Sequence, residues 1–166
     1  MQIRQTNQRF NFDKYPNFDR DIDPKQRAWI EVKGKAIEAN VKQLITKLGK
    51  NCQFMAVVKA DGYGHDSKVV SEYAIKGGAS QLGVATLKEG IKLRSSGVNK
   101  PILVLGNLYT KKDLIIAFKN DLMPTISSLR ECLICNNIGK QFGLKFPLHL
   151  KAVSYTHLTL PTNREV

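Results

Sequence analysis

A lysine stands where an apolar run of the sequence ends. The run extends from Phe54 to Val58, and Lys59 follows it directly. An uninterrupted apolar run of this length, bounded by turn residues, is typical of a strand buried on both faces of a parallel sheet. Lys59 is therefore expected at the carboxyl end of that strand. In barrels and doubly wound sheets, this edge is where catalytic residues are placed.

The residue types at this edge suit carbonyl chemistry. A lysine half sheltered by apolar neighbours loses its proton more readily than an exposed one, and its free amine can attack a carbonyl carbon to form a Schiff base. Gly62 and Gly64 permit a tight or left-handed loop, which would let Tyr63 direct its hydroxyl towards a molecule held by Lys59. Most lysines are solvated charges and most tyrosines pack with a wet hydroxyl, so position alone leaves both interpretations open.

The rest of the chain alternates between strand and helix patterns. Strands are predicted at residues 29–32, 53–58, 82–85, 102–105, 122–126 and 146–151. Helices are predicted at residues 36–48, 67–76, 87–94 and 111–119, and from Ser127 or Ser128 to about Ile138, before Gly139. Strands recurring roughly every 20 to 28 residues with helices between them are typical of βα units in a parallel sheet. The spacing does not distinguish a doubly wound sheet from part of a (βα)8 barrel.

The amino-acid sequence around the lysine resembles the pyridoxal-phosphate lysine motif of the alanine racemase family. The motif reads Ala56-Val57-Val58-Lys59-Ala60-Asp61-Gly62-Tyr63-Gly64-His65. Residues 28–32, 36–41, 77–85 and 101–106 are similar, in order, to the strands and helix that flank the motif in that family. The resemblance covers about residues 27–151. It implies an α/β fold, the N-terminal portion of a (βα)8 TIM-type barrel, without the family's C-terminal β-domain; a complete barrel needs about 250 residues.

The resemblance also implies an activity and a set of site residues. The family uses pyridoxal 5'-phosphate to interconvert L-alanine and D-alanine, which provides D-alanine for peptidoglycan synthesis. Lys59 corresponds to the residue that binds the cofactor and acts as base and acid on one face of the α-carbon. Tyr63 corresponds to a donor to the cofactor phosphate, and Leu105 to a residue lining the cofactor pocket. Lys151 matches a lysine that is carbamylated in many members.

A second acid/base is supplied, in the family, by a tyrosine from the C-terminal domain of the partner subunit. The resemblance therefore implies a homodimer. Residues 152–166 break the βα rhythm and resemble translated sequencing-adaptor sequence. We expect this tail not to be biological, and the chain to be the front part of a longer enzyme, inactive by itself. We expect residues 1–26, which are polar and interrupted by Pro16 and Pro24, to form an extension rather than a domain.

Composition narrows the cellular context. No apolar run is long enough to cross a bilayer, and the N-terminus is too polar for a signal peptide. Three cysteines, an odd number, fit a reducing compartment, so the cytoplasm is expected. A net charge of +12 raises the question of nucleic-acid binding, but the lysines are scattered and no nucleic-acid-binding motif is present. We expect neither a nucleic acid nor a membrane partner.

Other candidate sites are weaker. Cys132 and Cys135 lie inside a predicted helix without a second cysteine pair, which favours two core-facing residues over a zinc or redox site. His65, His149 and His157 show no metal-ligand spacing, and no metal is expected. Two alternative functions stay open. One is a non-catalytic pyridoxal-phosphate-binding protein made of a single barrel, and the other is a racemase that acts on serine or another amino acid.

Overall fold

The structure, a computed structural model, describes residues 30–49 and 51–152. The chain divides into two units, Met1–Glu31 and Val32–Val166, and the architecture described below belongs to the second. The expected N-terminal extension at residues 1–26 and most of the expected tail, including His157, lie outside the described residues.

Helices and strands alternate through the described part of the second unit, except that two helices lie between the first and second strands. The helices are α1 (Gly34–Thr46), α2 (Lys59–Gly64), α3 (Ser67–Lys76), α4 (Leu87–Ser95), α5 (Lys111–Lys119) and α6 (Leu129–Phe142). The strands are β1 (Met55–Val57), β2 (Gln81–Val84), β3 (Ile102–Asn107), β4 (Leu122–Ile126) and β5 (His149–Leu150). Within residues 30–49 and 51–152, no helix is both long enough and apolar enough to span a bilayer.

The order of the strands identifies the architecture. Each strand pairs in parallel with its predecessor, giving the order β1-β2-β3-β4-β5. A doubly wound sheet reverses its order at a switch point, whereas a (βα)8 barrel places each new strand beside the previous one. The sheet therefore has the order of a barrel. The choice that strand spacing left open is settled in favour of a partial TIM-type barrel.

The main core lies between the helices and one face of the sheet. Because side chains alternate along a strand, every second strand residue points towards the helices. The buried strand residues of this core are Leu82, Val84, Ile102, Val104, Leu122 and Ile126, with Val58 just beyond β1. They pack against buried helix residues that include Leu93, Leu114, Ala117 and Ile138. The other face of the sheet, which a closed barrel would enclose, carries Lys59 at its rim.

The prediction that the lysine strand is buried on both faces is wrong for the described chain. Val58 points into the core and is 1% exposed, but Val57 on the opposite face is 38% exposed. The apolar run shows that both faces of the strand are suited to burial. Burial of the second face requires a further layer of side chains, and the described residues do not supply one.

Several element boundaries differ from the sequence prediction. The strand predicted at 53–58 covers Met55–Val57, the one predicted at 146–151 covers His149–Leu150, and helix α2 was not predicted. Ile30 to Val32 are not in a strand. Helix α6 continues through Gly139 to Phe142. It ends at Gly143, where φ is 65° and the N–H of Leu144 donates to the carbonyl of Gly139 at 3.0 Å. This left-handed C-terminal cap explains why the later glycine ends the helix.

The prediction that both cysteines of α6 face the core is wrong for Cys132. Cys135 is 5% exposed, whereas Cys132 is exposed. The buried residues of α6 are Glu131, Cys135 and Ile138, a narrow stripe with spacings of four and three. Residues three apart differ by about 60° around a helix axis, which is enough to place Cys132 outside this stripe. Cys52, Cys132 and Cys135 are all free thiols.

Candidate active site

Lys59 lies at the carboxyl end of β1. The N–H of Val58 donates to the carbonyl of Gly83 at 2.8 Å, one ladder bond beyond the assigned strand, so Lys59 is the first residue past the sheet. Its side chain is partly buried. Among the described residues, its amine takes part in no hydrogen bond or ion pair. Lys59 thus lies, partly buried, at the carboxyl edge of the sheet, and no described carboxylate pairs with its amine.

The loop after Lys59 is one turn of left-handed helix. Gly62 has φ 66° and Gly64 has φ 81°, which confirms that the glycines accommodate left-handed backbone. Three residues with side chains share this conformation: Ala60 at φ 51°, Asp61 at φ 53° and Tyr63 at φ 55°. A left-handed conformation costs roughly 1–2 kcal/mol for each such residue. The turn therefore needs specific contacts to hold it.

Asp61 provides one set of these contacts. Its Oδ1 accepts hydrogen bonds from the N–H of Ser67 at 3.3 Å, from Ser67 Oγ at 3.0 Å and from Lys92 Nζ at 2.9 Å. The hydrogen bond from Lys92, followed by those from Ser67, holds the pKa of Asp61 below its usual value. The same contact raises the pKa of Lys92. Asp61 thus links the turn to the start of α3 and to α4.

Asp66 ends the turn and is the N-cap of α3. Its Oδ1 accepts from the backbone N–H of Lys68 at 2.8 Å and of Val69 at 3.2 Å, the pattern of an N-cap. The ring Nδ1 of His65 lies 3.0 Å from the carbonyl oxygen of Tyr63, so His65 braces the loop backbone.

Glu89 provides the second set of contacts. Its Oε1 accepts a hydrogen bond of 2.8 Å from the N–H of Ala60, the residue after Lys59. Its Oε2 accepts from the N–H groups of Ala85 at 2.8 Å and Thr86 at 3.0 Å. Burial by itself would raise the pKa of Glu89, but these backbone donors outweigh burial and lower it. Glu89 is therefore held as a carboxylate between two βα units.

The sequence analysis missed Glu89, although part of its role has a sequence signal. Thr86 and Glu89 stand three residues apart after a strand, which is the spacing of a capping box. The structure contains that box at the start of α4. No local pattern indicates the contact with Ala60, because the two residues are separated by 29 positions.

An apolar floor lies on the face of the sheet that carries Lys59. Gly83 pairs with Val57, two residues before the lysine. A Cβ at Gly83 would lie 3.2 Å from Met55 Sδ, 3.4 Å from Val57 Cγ2 and 3.5 Å from Leu105 Cδ1. The absence of a side chain at Gly83 allows these three apolar groups to converge. The floor offers a surface for a flat, uncharged ring.

Not every predicted site residue lies near Lys59. Tyr63 follows in the same turn and is 59% exposed, and Leu105 contributes to the apolar floor. Lys151 is exposed at the end of β5, where its N–H donates to the carbonyl of Ile126 at 2.8 Å. Three strands lie between β1 and β5, so at about 4.8 Å per strand these two edges are about 19 Å apart along the sheet. The described fold places Lys59 and Tyr63 in one turn and Leu105 in the apolar floor, and it leaves Lys151 apart.

The residues present fit pyridoxal phosphate. The aldehyde of this cofactor requires an amine, which Lys59 offers without a competing ion pair. Its flat ring suits the apolar floor of Met55, Val57 and Leu105, and Tyr63 offers a hydroxyl that makes no hydrogen bond with another described residue. Within the described part of the chain, no group of three or more His, Cys, Asp or Glu residues is arranged to hold a metal ion.

Comparison with known proteins gives a consistent result. The family described as alanine racemase, N-terminal domain, matches residues 32–157. The alanine racemase of Prochlorococcus marinus is 53% identical over 130 residues, covering 78% of this chain and 34% of that protein. That of Nostoc sp. is 43% identical over 128 residues, covering 76% and 33%. The chain therefore spans about a third of the length of these relatives.

Solved structures show the same likeness. An alanine racemase of Clostridium difficile aligns with a TM-score of 0.64 and 31% identity, covering 74% of this chain and 31% of that one. The Bacillus anthracis alanine racemase with bound L-Ala-P aligns with a TM-score of 0.61 and 32% identity, over the same two shares. A histidine racemase of Leuconostoc mesenteroides aligns with a TM-score of 0.66 over 78% of this chain and 37% of that one, but at 23% identity it shows a shared fold alone.

Proposed function

The chain belongs to the alanine racemase N-terminal domain family, and we propose that it is the lysine-bearing part of an enzyme that interconverts L-alanine and D-alanine with pyridoxal 5'-phosphate. The observation that carries the proposal is the position of Lys59. Lys59 is partly buried at the carboxyl edge of a barrel-order sheet, its amine forms no ion pair with a described residue, and a left-handed turn leads from it to Tyr63.

In the proposed mechanism, Lys59 holds the cofactor and moves a proton at the substrate's α-carbon. Pyridoxal phosphate, when bound, supplies an electron sink for the charge left on that carbon. Lys59 Nζ removes the proton from one face and can return it there. Tyr63 would donate its hydroxyl hydrogen to the phosphate, and Leu105 would pack against the ring. The resemblance assigns the acid/base of the opposite face to a tyrosine of the partner subunit.

The proposal extends to the cellular role. The enzyme would act as a homodimer in the cytoplasm and supply D-alanine for peptidoglycan. The identity of 53% to a protein named alanine racemase supports alanine as the substrate. Lys151 is proposed to be a carbamylated lysine, on the strength of its match to the family motif alone.

The test is covalent trapping in the full-length protein. Pyridoxal phosphate is added, the linkage is reduced with borohydride, and peptides are mapped by mass spectrometry. We expect a phosphopyridoxyl group on Lys59, none in Lys59→Ala, and an unchanged yield in a matched exposed-lysine variant, Lys88→Ala. An adduct on another residue, or none, would overturn the assignment. Labelling of Lys59 without racemisation of any amino acid would instead favour the non-catalytic pyridoxal-phosphate-binding protein.

A further inference from the structure

Glu89 divides its two carboxylate oxygens between different βα units. Oε2 completes the capping box of α4, through the N–H groups of Ala85 and Thr86. Oε1 reaches back to the preceding unit, where it accepts from the N–H of Ala60 at 2.8 Å. The side chain is partly buried, and a hydrogen bond to an ionised carboxylate is stronger than one between neutral groups.

A second glutamate with the same capping role lacks the second contact. Glu131 forms the capping box of α6, and its Oε2 accepts from the N–H of Ser127 at 2.6 Å and of Ser128 at 3.2 Å. Its Oε1 makes no hydrogen bond with a described residue, and neither oxygen contacts the turn after Lys59. Glu131 therefore caps its helix as Glu89 does, but makes no contact with the lysine turn. Comparing the two residues distinguishes the effect of capping from an effect on Lys59.

Ala60 is where the left-handed turn begins, with φ 51° and ψ 49°. Rotation of the backbone at this residue changes the direction of the peptide that joins it to Lys59, and so the direction of the lysine side chain. A residue other than glycine disfavours this conformation. The Ala60 N–H can reach Glu89 only while Ala60 keeps the left-handed conformation. The hydrogen bond therefore stabilises this conformation relative to right-handed or extended backbone.

We propose that Glu89 is a positioning residue for Lys59, which it holds at the rim by fixing the Ala60 N–H. The inference rests on the proposed function in one respect, that Lys59 is the residue which binds pyridoxal phosphate. Glu89 itself touches neither the cofactor nor the substrate; it acts through the peptide between Lys59 and Ala60. Lys92, also in α4, supports the same turn at the residue after Ala60, through its ion pair with Asp61 at 2.9 Å.

Glu89 needs both carboxylate oxygens, because it accepts hydrogen bonds from three backbone N–H groups: Oε1 from one and Oε2 from two. Glutamine offers one acceptor oxygen, and its amide group would point N–H bonds at either Ala60 or the start of α4. Glu89→Gln therefore keeps the size of the side chain but loses one of its two contacts. In Glu131→Gln the single amide oxygen can take the place of Oε2, so the capping box loses the charge of the carboxylate but not its contacts, which makes this variant the matched control.

The experiment compares Glu89→Gln and Glu131→Gln in the full-length protein. The readouts are the unfolding midpoint in urea, the exchange rate of the Ala60 amide hydrogen, the dissociation constant for pyridoxal phosphate, and kcat and KM for alanine. We expect Glu89→Gln to lower the midpoint by more than Glu131→Gln does. Only Glu89→Gln should speed Ala60 exchange at least tenfold, weaken pyridoxal phosphate binding at least tenfold and lower kcat. Glu131→Gln should stay within twofold of the wild type in these three readouts.

Equal effects of the two substitutions on cofactor binding and Ala60 exchange would overturn the proposal, because capping alone would then explain them. Should Glu89→Gln not fold, the wild-type protein supplies the test: the Ala60 amide proton resonance should shift as Glu89 takes up its proton in acid, and an amide that exchanges freely at neutral pH would overturn the proposal. If wild-type Lys59 takes no label, the proposed function fails, whereas protection of the Ala60 amide still tests the Glu89 contact.

Discussion

The backbone N–H of Gly62 donates a hydrogen bond of 3.0 Å to the carbonyl oxygen of Val58, which closes one helical turn in the left-handed sense. Val58 is 1% exposed and belongs to the core. The turn is therefore anchored in the interior of the protein on one side of Lys59. On the other side it runs directly into the first turn of α3, so that both ends of the loop are fixed.

Gly62→Ala should destabilise the protein more than the same change at another positive-φ glycine. A Cβ at Gly62 would lie 2.9 Å from Val70 Cγ2 and 3.3 Å from Ser67 Cα, at φ +66°. We expect a loss of about 2–4 kcal/mol in the free energy of unfolding, from backbone conformation and overpacking together. Gly97→Ala, at φ +90° with no atom within 4 Å, isolates the backbone cost of about 1–2 kcal/mol. Equal losses in urea unfolding would contradict the packing argument.

Acid should weaken the fold partly through Glu89. The pKa of Glu89 is lowered in the folded protein, so the unfolded chain binds more protons and stability rises with pH in that range. The contribution is complete above the ordinary glutamate pKa of about 4.3, and it disappears as the pH falls through the lowered pKa. Urea unfolding measured from neutral pH to about pH 2 should show a flatter dependence in Glu89→Gln than in the wild type. Parallel curves would mean that the contact does not favour the carboxylate.

Substitution of Arg94 should lower the stability of the protein without changing the reaction of Lys59 with pyridoxal phosphate. Its guanidinium donates to four carbonyls, those of Val98, Lys100, Asn120 and Asp121, at 2.6–3.2 Å. These loops lie at the amino ends of β3 and β4, opposite the rim that carries Lys59. Arg94→Lys keeps the charge but cannot reproduce the planar fork, so we expect a loss of about 2–3 kcal/mol.

The control for Arg94 is Lys88→Ala, an exposed lysine of the same helix, which should change stability by less than about 0.5 kcal/mol. In conditions where Arg94→Lys is folded, the borohydride-trapped yield at Lys59 should equal that of the wild type. A selective fall in that yield would show that the two ends of the sheet are coupled.

Ser71→Ala should stabilise the protein. Ser71 is 0% exposed in α3, and its hydroxyl makes no hydrogen bond with any residue of 30–49 or 51–152. Removing a buried hydroxyl without a partner, at a position where alanine also favours the helix, is expected to gain about 1 kcal/mol. Differential scanning calorimetry should show a higher unfolding temperature. A lower temperature would indicate that a bound water satisfies the hydroxyl.

The 166-residue chain by itself should not racemise alanine. The resemblance places the second acid/base in a C-terminal domain, and the match to the family covers residues 32–157. Lys59 alone can remove a proton and return it to the same face of the α-carbon, which regenerates the starting enantiomer. A D-alanine assay on the purified chain checks this, and racemisation at an ordinary enzymatic rate would contradict it.

The βα alternation could be predicted because each element has a local signal. Helix α5 and strand β4 begin and end where the sequence pattern predicts. The position of Lys59 at a strand end follows from the apolar run before it. The resemblance supplied the barrel assignment that spacing could not.

The failures concern properties that depend on distant parts of the chain. Exposure of Val57 depends on what covers the second face of the sheet, and exposure of Cys132 depends on how α6 is rotated against the core. The contacts of Ala60 with Glu89 and of Asp61 with Lys92 join residues 29 and 31 positions apart. Only the fold brings these groups together, so the supports of the lysine turn were not predictable from local pattern.

The residues that form the capping boxes of α4 and α6, or lie next to them, contact the loop at the end of the preceding βα unit's strand. At α4 the partner is Ala60, and at α6 the hydroxyl of Ser127, which lies 3.4 Å from Glu131 Oε2, accepts from Asn107 Nδ2 at 2.7 Å. The residues that begin these helices thus also connect each rim loop to the preceding one by hydrogen bonds. Substitutions in one rim loop should consequently be transmitted backwards to the preceding loop, so that directed evolution of this edge will need compensating pairs of changes rather than independent single ones.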